Sequence, residues 1–162
     1  MEPLHHRPRG QSLVEFALIF PMFLVLLFGM LDIGRVIWAN DALTNAAREG
    51  ARYAVVHGGS ELVACPTGPG VNTTPSGCPA VGTDGKDPTR QAAQNYSIAG
   101  GAGVTVYVCY GSGCTGNTDL GSNTRGTPVT VKVVSTVPTL TGTLLGLGDL
   151  AVSGSTTMLV NN

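Results

Sequence analysis

The chain is poor in charge. Of its 162 residues only 12% are charged, about half the share of an ordinary soluble domain, and the formal net charge is −1. A chain this close to neutral offers little attraction for a phosphate backbone, so we predict no nucleic-acid partner.

Residues on which catalysis often depends are also scarce. The chain has three histidines, and only His57 lies beyond the N-terminal leader, which excludes paired-histidine zinc sites. The sequence lacks a Cys-x-x-Cys pair, a phosphate-binding glycine loop ending in Lys-Ser/Thr and a Gly-x-Ser-x-Gly turn. Asp84, Asp87 and Asp119 lack the alternating acidic spacing of an EF-hand. We expect no enzyme activity, no metal and no cofactor.

What the chain has in abundance is hydrophobicity near its N-terminus. Residues 13–31 are dominated by Leu, Phe, Ile, Val and Met, and their only charge is Glu15. About twenty apolar residues in a helix can cross the roughly 30 Å hydrocarbon core of a bilayer. The run exceeds the roughly 7–15 residues of a signal peptide, so we favour a membrane helix over a signal peptide or a buried core helix. We expect the transmembrane part at about residues 14–37.

Charges on either side of the run predict its orientation. Arg7 and Arg9 precede it, whereas Asp32 and Arg35 directly after it cancel one another. The positive-inside rule therefore places the N-terminus in the cytoplasm and the rest of the chain outside it.

All four cysteines lie on the predicted outer side, at Cys65, Cys78, Cys109 and Cys114. An even number of cysteines in a small, glycine-rich extracytoplasmic domain indicates two disulfides. Three pairings are possible, and we favour Cys65–Cys78 with Cys109–Cys114.

The helix is predicted to continue well past the apolar run. Apolar and small residues recur at intervals of three and four, and His57 is followed by two glycines that end the pattern, so we predict one helix over residues 12–56. One face of its outer part carries almost only small residues: Ala42, Ala46, Ala47, Gly50, Ala51 and Ala54. Such a face permits close approach. Packing on the chain's own domain and packing on another molecule are equally compatible with it.

The region that follows is rich in turns and short elements. A long Gly/Pro-rich loop over residues 58–86 precedes a short helix that runs to residue 98, with Asp87 as its N-cap and Pro88 as its first helical residue. The apolar positions of this helix, Ala92, Ala93, Tyr96 and Ile98, are expected to face a sheet.

Alternating β-formers predict three strands, over residues 104–110, 127–137 and 151–160. The connections are short or turn-rich, which is typical of an antiparallel meander. The Gly- and Leu-rich connection over residues 139–150 is expected to hold a short helical turn or to touch the membrane.

The predicted fold class is therefore α+β. Residues 1–10 form a basic leader, residues 11–57 a long helix that spans the membrane, and residues 58–162 an extracytoplasmic domain. In that domain a short helix is predicted to pack on a small antiparallel sheet, and two disulfides are predicted to cross-link the domain.

Two residues inside the apolar run need a reason. A carboxylate such as Glu15 costs on the order of 2.5–3.5 kcal/mol within hydrocarbon, so it should be partnered or lie near the interface. Pro21 removes one backbone hydrogen bond, which predicts a kink or a loosened turn.

These residues resemble a known family. Gly10 before Gln11, followed by Glu15 and the apolar run through Pro21, is similar to the processing signal of type IV pilin-like proteins. More narrowly, residues 14–21 and 46–54 resemble the TadE-like proteins, the minor pilins or pseudopilins of tight-adherence (Flp) pilus systems.

The resemblance implies a role in pilus assembly at the bacterial cytoplasmic (inner) membrane. It implies a prepilin peptidase that cuts after Gly10, and Glu15 as the carboxylate that sets subunit register. The implied partners are the bilayer, the peptidase, other pilin or pseudopilin subunits and the inner-membrane pilus machinery. The alternative is a membrane-anchored binding or adhesion module that never enters a filament; such an anchor needs neither Gly10 nor Glu15.

Overall fold

The computed structural model describes residues 10–58, 86–97, 103–119, 121, 123–146 and 148–161. Along the chain the elements are α1 (Gln11–Val56), α2 (Asp87–Tyr96), β1 (Thr105–Tyr110), β2 (Pro128–Val137), α3 (Leu140–Leu145) and β3 (Leu150–Leu159). The long helix, the short helix and the small sheet confirm the predicted α+β class. Cys65, Cys78, Ile98 and nearly all of the predicted loop lie outside the described residues.

The first helix is a single element. It has 46 residues, which at 1.5 Å per residue gives a length of about 70 Å. Helical assignment continues without a break through Pro21, although this residue has no N–H to donate to the preceding turn. The helix ends at Val56. The next residue, His57, is its C-cap and donates a backbone hydrogen bond to the carbonyl of Tyr53 at 3.0 Å. The predicted helix over residues 12–56 is confirmed to within one residue.

The three strands form an antiparallel sheet in the order β1-β2-β3. In its centre Val131 pairs with Val108 on one side and with Thr156 on the other. The strand boundaries differ from the predicted ones by one residue, and the predicted meander is confirmed. The predicted short helical turn between the last two strands is α3.

The core lies between one face of the sheet and the C-terminal part of α1. Alternate residues of β2, among them Val129, Val131 and Val133, are fully buried, as β-branched side chains on the inner face of a sheet should be. Each contributes roughly 1.5–3 kcal/mol by leaving water. The opposing face of α1 is the small-residue face, with buried residues Ala39, Leu43, Ala46, Ala47, Gly50, Ala51 and Ala54.

The small residues therefore serve packing within the chain. A Cβ added to Gly154 of β3 would lie 2.3 Å from the backbone nitrogen of Thr44, and one added to Gly50 would lie 2.8 Å from the Cβ of Ala93. The sheet at Gly154 and the second helix at Gly50 thus approach α1 more closely than larger side chains at these glycines would permit. Of the two alternatives that the sequence left open, the structure shows packing on the chain's own domain.

The second helix differs from the prediction in two details. Its N-cap is Lys86 rather than Asp87, so that Pro88 lies one position deeper in the first turn. Thr89 and Ala93 are buried, whereas Tyr96 is mostly exposed, and α2 packs mainly on α1 and only lightly on β1. The prediction that Tyr96 faces the sheet was wrong, because the buried side of this helix is chosen by the small α1 face and not by the sheet.

A disulfide closes the turn after β1. Cys109 is the penultimate residue of that strand, and it is bonded to Cys114 with a Cα–Cα distance of 5.7 Å. This half of the favoured pairing is present in the structure. The link restrains the turn that leads from β1 toward Asp119.

Candidate functional site

The N-terminal end of α1 is formed by Gly10. The carbonyl of this residue accepts a hydrogen bond from Val14 N at 3.2 Å, and the helix begins at Gln11 without a side-chain cap. Gly10 has φ −97°, which any residue can adopt, and a Cβ added to it would meet no atom within 4 Å. Nothing in the described part of the chain requires a glycine at this position.

One turn into the helix, Glu15 lies on an exposed surface. Gln11 Nε2 donates a hydrogen bond to Glu15 Oε1 at 3.5 Å, which is the contact expected for residues four apart on a helix. The carboxylate and the first residue of the helix therefore share one face. A positive charge placed at the start of the helix would lie within reach of Glu15.

The apolar part of α1 carries no protein covering in the described structure. Leu18, Met22 and Met30 are each about three-quarters exposed. The most apolar 18-residue window has a mean hydropathy of 2.4, and only 6% of it is buried. A core helix of a soluble protein would be mostly buried, whereas this segment projects from the domain. It is the one described helix that is long and apolar enough to cross a membrane.

The boundary between the projecting segment and the domain is marked by Asp32. It is the first buried residue along α1, with 5% of its surface exposed. Its carboxylate accepts hydrogen bonds from Leu140 N at 2.9 Å, from Thr141 N at 2.8 Å and from Thr141 Oγ1 at 2.6 Å. The carboxylate of one helix thus caps the first turn of another.

The cap of α3 is completed by Thr139. Its hydroxyl oxygen accepts a hydrogen bond from Gly142 N at 3.1 Å, so that the N–H groups of residues 140, 141 and 142 all find side-chain acceptors. Arg35 lies one turn from Asp32 on α1, with 4.0 Å between guanidinium nitrogen and carboxylate oxygen. From the sequence these two residues are only cancelling charges, and the capping role of Asp32 was missed.

Asp119, like Asp32, accepts a hydrogen bond from a backbone N–H group. It accepts a hydrogen bond from Val108 N at 2.7 Å and forms an ion pair with Arg90 of α2. The bond occupies an outward-facing N–H of β1, which is an edge strand. Satisfied and charged edges do not readily add strands from other molecules. At Val108 this edge of the sheet is therefore closed to an added strand.

An open groove of 330 Å³ lies between the ends of α1 and α2. Its lining includes Arg52, Tyr53, His57 and Tyr96. The rings of Tyr53 and His57 stack with centroids 4.1 Å apart, and burial raises the pKa of the Tyr53 phenol above its ordinary value. Within the described residues no group of three or more His, Cys, Asp or Glu is arranged to hold a metal ion.

One long apolar helix with a small α+β domain seated on its C-terminal part is the architecture of a membrane-anchored protein. Residues 10–52 match the family model described as TadE-like protein. The resemblance found in the sequence is thus confirmed over the segment from Gly10 to the buried face of α1. No curated protein and no solved structure matches the chain.

Proposed function

We propose that the protein is a minor pilin, or pseudopilin, in the assembly of a tight-adherence pilus. It sits in the bacterial cytoplasmic membrane with its N-terminus in the cytoplasm and its domain outside. The observation that carries the proposal is the TadE-like match over residues 10–52, which coincides with a helix whose first part has no protein covering. Its role is structural, in agreement with the scarcity of catalytic side chains.

Processing after Gly10 is supported by the geometry of the helix start. The peptide bond between Gly10 and Gln11 lies directly before the first helical residue, and no packing within the described chain accounts for the glycine. A requirement imposed by a second protein accounts for it. A prepilin peptidase that cuts this bond leaves Gln11 as the new N-terminus, with a positive amino group.

Glu15 gains a partner by this cleavage. An unpaired carboxylate in the hydrocarbon region costs on the order of 2.5–3.5 kcal/mol, and a charged amino group nearby removes much of that cost. The new amino group of a neighbouring subunit satisfies Glu15 only when the two helices are in one register. In this way the carboxylate positions the subunit among the pilin and pseudopilin helices it meets in the inner-membrane pilus machinery.

The predicted orientation has independent support from the disulfide. Cys109–Cys114 is in the domain, and disulfides form and persist outside the reducing cytoplasm. The basic leader with Arg7 and Arg9 favours the cytoplasmic side for the N-terminus. Both observations support a membrane that lies between the leader and the sheet.

The test is the intact mass of the chain purified from its native membrane. We expect loss of residues 1–10 from the wild type and retention of them in Gly10→Ala. Gly29→Ala is the matched control, since a Cβ at Gly29 also meets no atom within 4 Å but the site lies inside the helix. This control should be processed normally.

Glu15→Gln tests the second part of the proposal. The substitution keeps size and hydrogen bonding but removes the charge, so we expect normal processing together with loss of co-purification with the pilus subunits. An uncut wild-type chain would instead identify a plain membrane anchor, and the adhesion module would replace the pilin. Cleavage beyond residue 35 would identify a secreted protein.

A further inference from the structure

The stretch around α3 exposes a cluster of leucines. Leu140, Leu144, Leu145 and Leu150 are each about half to two-thirds exposed, and we call these four residues the leucine foot. Isolated exposed leucines are ordinary, but four within eleven positions form a patch. Of the other exposed large apolar side chains beyond α1, Leu159 lies at the opposite end of β3 and Tyr96 lies in α2.

The leucine foot lies at the end of the domain nearest to the apolar segment. Asp32, which follows the last residue of that segment, holds the backbone of Leu140 and Thr141. Leu150 pairs with Val137 at the end of β2 and β3 on the same side. The position of the foot along α1 is therefore set by direct hydrogen bonds.

Apolar residues of α1 are also exposed at this level. Ile33, Ile37 and Trp38 are each close to 60% exposed. They prolong the exposed apolar stretch of residues 13–31 along α1 to the level at which Asp32 holds α3. Tryptophan is characteristic of the boundary between hydrocarbon and headgroups.

We propose that the leucine foot is a second membrane contact, seated in the interfacial region of the outer leaflet beside the transmembrane helix. The occupant of the patch is lipid, because Asp32 holds α3 directly after the apolar segment that anchors the chain. Leu144 and Leu145 reach the acyl boundary, while the hydrogen bonds that Leu140 N and Thr141 N donate to Asp32 hold α3 against α1. Two contacts side by side fix how the domain is tilted and rotated above the bilayer. The inference rests on the proposed membrane anchoring.

The experiment uses the full chain, reconstituted in phosphatidylcholine vesicles with a single tryptophan as reporter. In a Trp38→Phe background, Leu144→Trp places the reporter on the foot. Leu159→Trp is the matched control, because both leucines are 64% exposed and neither is in the core. Leu159 lies at the other end of β3 from Leu150, which places it about 30 Å from that residue of the foot.

Emission is compared in vesicles with and without bromine on the acyl chains of both leaflets, so that the orientation of the protein does not matter. We expect the Leu144→Trp reporter to emit at shorter wavelength and to lose most of its intensity in brominated lipid. The Leu159→Trp reporter should show neither effect. Formation of the Cys109–Cys114 bond in each variant verifies folding, and it is measured by the mass of the proteolytic peptide between Arg90 and Arg125, which holds both cysteines.

A Leu144→Trp signal as insensitive to bromine as the control would overturn the inference. So would a blue shift that disappears on diluting the protein in lipid, since that result assigns the patch to a second copy of the chain. Resistance of the protein to alkaline extraction tests the anchor separately. A chain that stays anchored with an unquenched reporter contradicts the foot alone, whereas an extractable chain contradicts the anchor.

Discussion

The two parts of α1 belong to one unbroken helix, yet their side chains differ completely. Residues 13–31 carry large apolar side chains that are exposed, and from Asp32 onward one face carries small residues that are buried. Backbone geometry does not distinguish them. The difference shows that side-chain size matches the environment: bulk where lipid is expected to surround the helix, and near absence of bulk where the chain's own sheet must approach.

The largest expected effect comes from removing the one large side chain in the small face. Leu43 is fully buried, so Leu43→Ala should lower the free energy of unfolding of the domain by about 2–5 kcal/mol through lost burial and the cavity left behind. Hydrogen exchange of the β2 amides in detergent micelles measures it. Leu26→Ala, in the exposed part, should leave that exchange unchanged. Equal effects of the two substitutions would abolish the distinction between the two parts.

A smaller effect is expected from adding bulk. A Cβ on Gly154 collides with backbone atoms of α1, which cannot rotate away, so Gly154→Ala should destabilise the domain by about 1–3 kcal/mol. Gly34→Ala adds the same methyl group at an open helix position, where alanine is favoured by about 0.5–1 kcal/mol. The two substitutions should shift the thermal midpoint in opposite directions. Shifts of the same sign would contradict the close approach.

The smallest and most local effect is expected at the boundary. Asp32→Ala removes the acceptors of Leu140 N and Thr141 N, so these two amides should exchange faster while those of β2 stay protected. Asp41→Ala removes an exposed carboxylate from the same helix and should change neither. If the α3 amides keep their protection without Asp32, the cap is supplied by other groups and the boundary lies elsewhere.

The sequence was sufficient for the elements whose pattern is local. Intervals of three and four residues predicted the end of α1 at Val56, and alternation predicted β2 to within one residue. The pairing of Cys109 with Cys114, which was favoured among three possible pairings, joins residues only five positions apart. Each of these features depends on neighbours in the chain, which a periodic pattern records directly.

The hydrogen bonds between Asp32 and the first turn of α3 could not be predicted in this way. Asp32 and Leu140 are 108 positions apart, and no spacing connects them. An isolated charge after an apolar run is equally well explained by exposure to water. A sequence indication of α3 existed in Thr139, a good N-cap residue, but a second acceptor from a distant helix leaves no trace near it. The same reason explains why the exposed position of Tyr96 was missed.

The contact of Gly154 with the backbone at Leu43 and Thr44 also fixes the position of the sheet along α1. Because only a residue without a side chain fits against this part of the α1 backbone, sliding the sheet along α1 by a turn would bring larger residues of β3 into collision with it. The distance from Gly10 to the domain is then a constant of the molecule, set by the number of helical residues between them. Inserting or deleting one turn between residues 22 and 31 would raise or lower the whole domain by about 5 Å without touching its core.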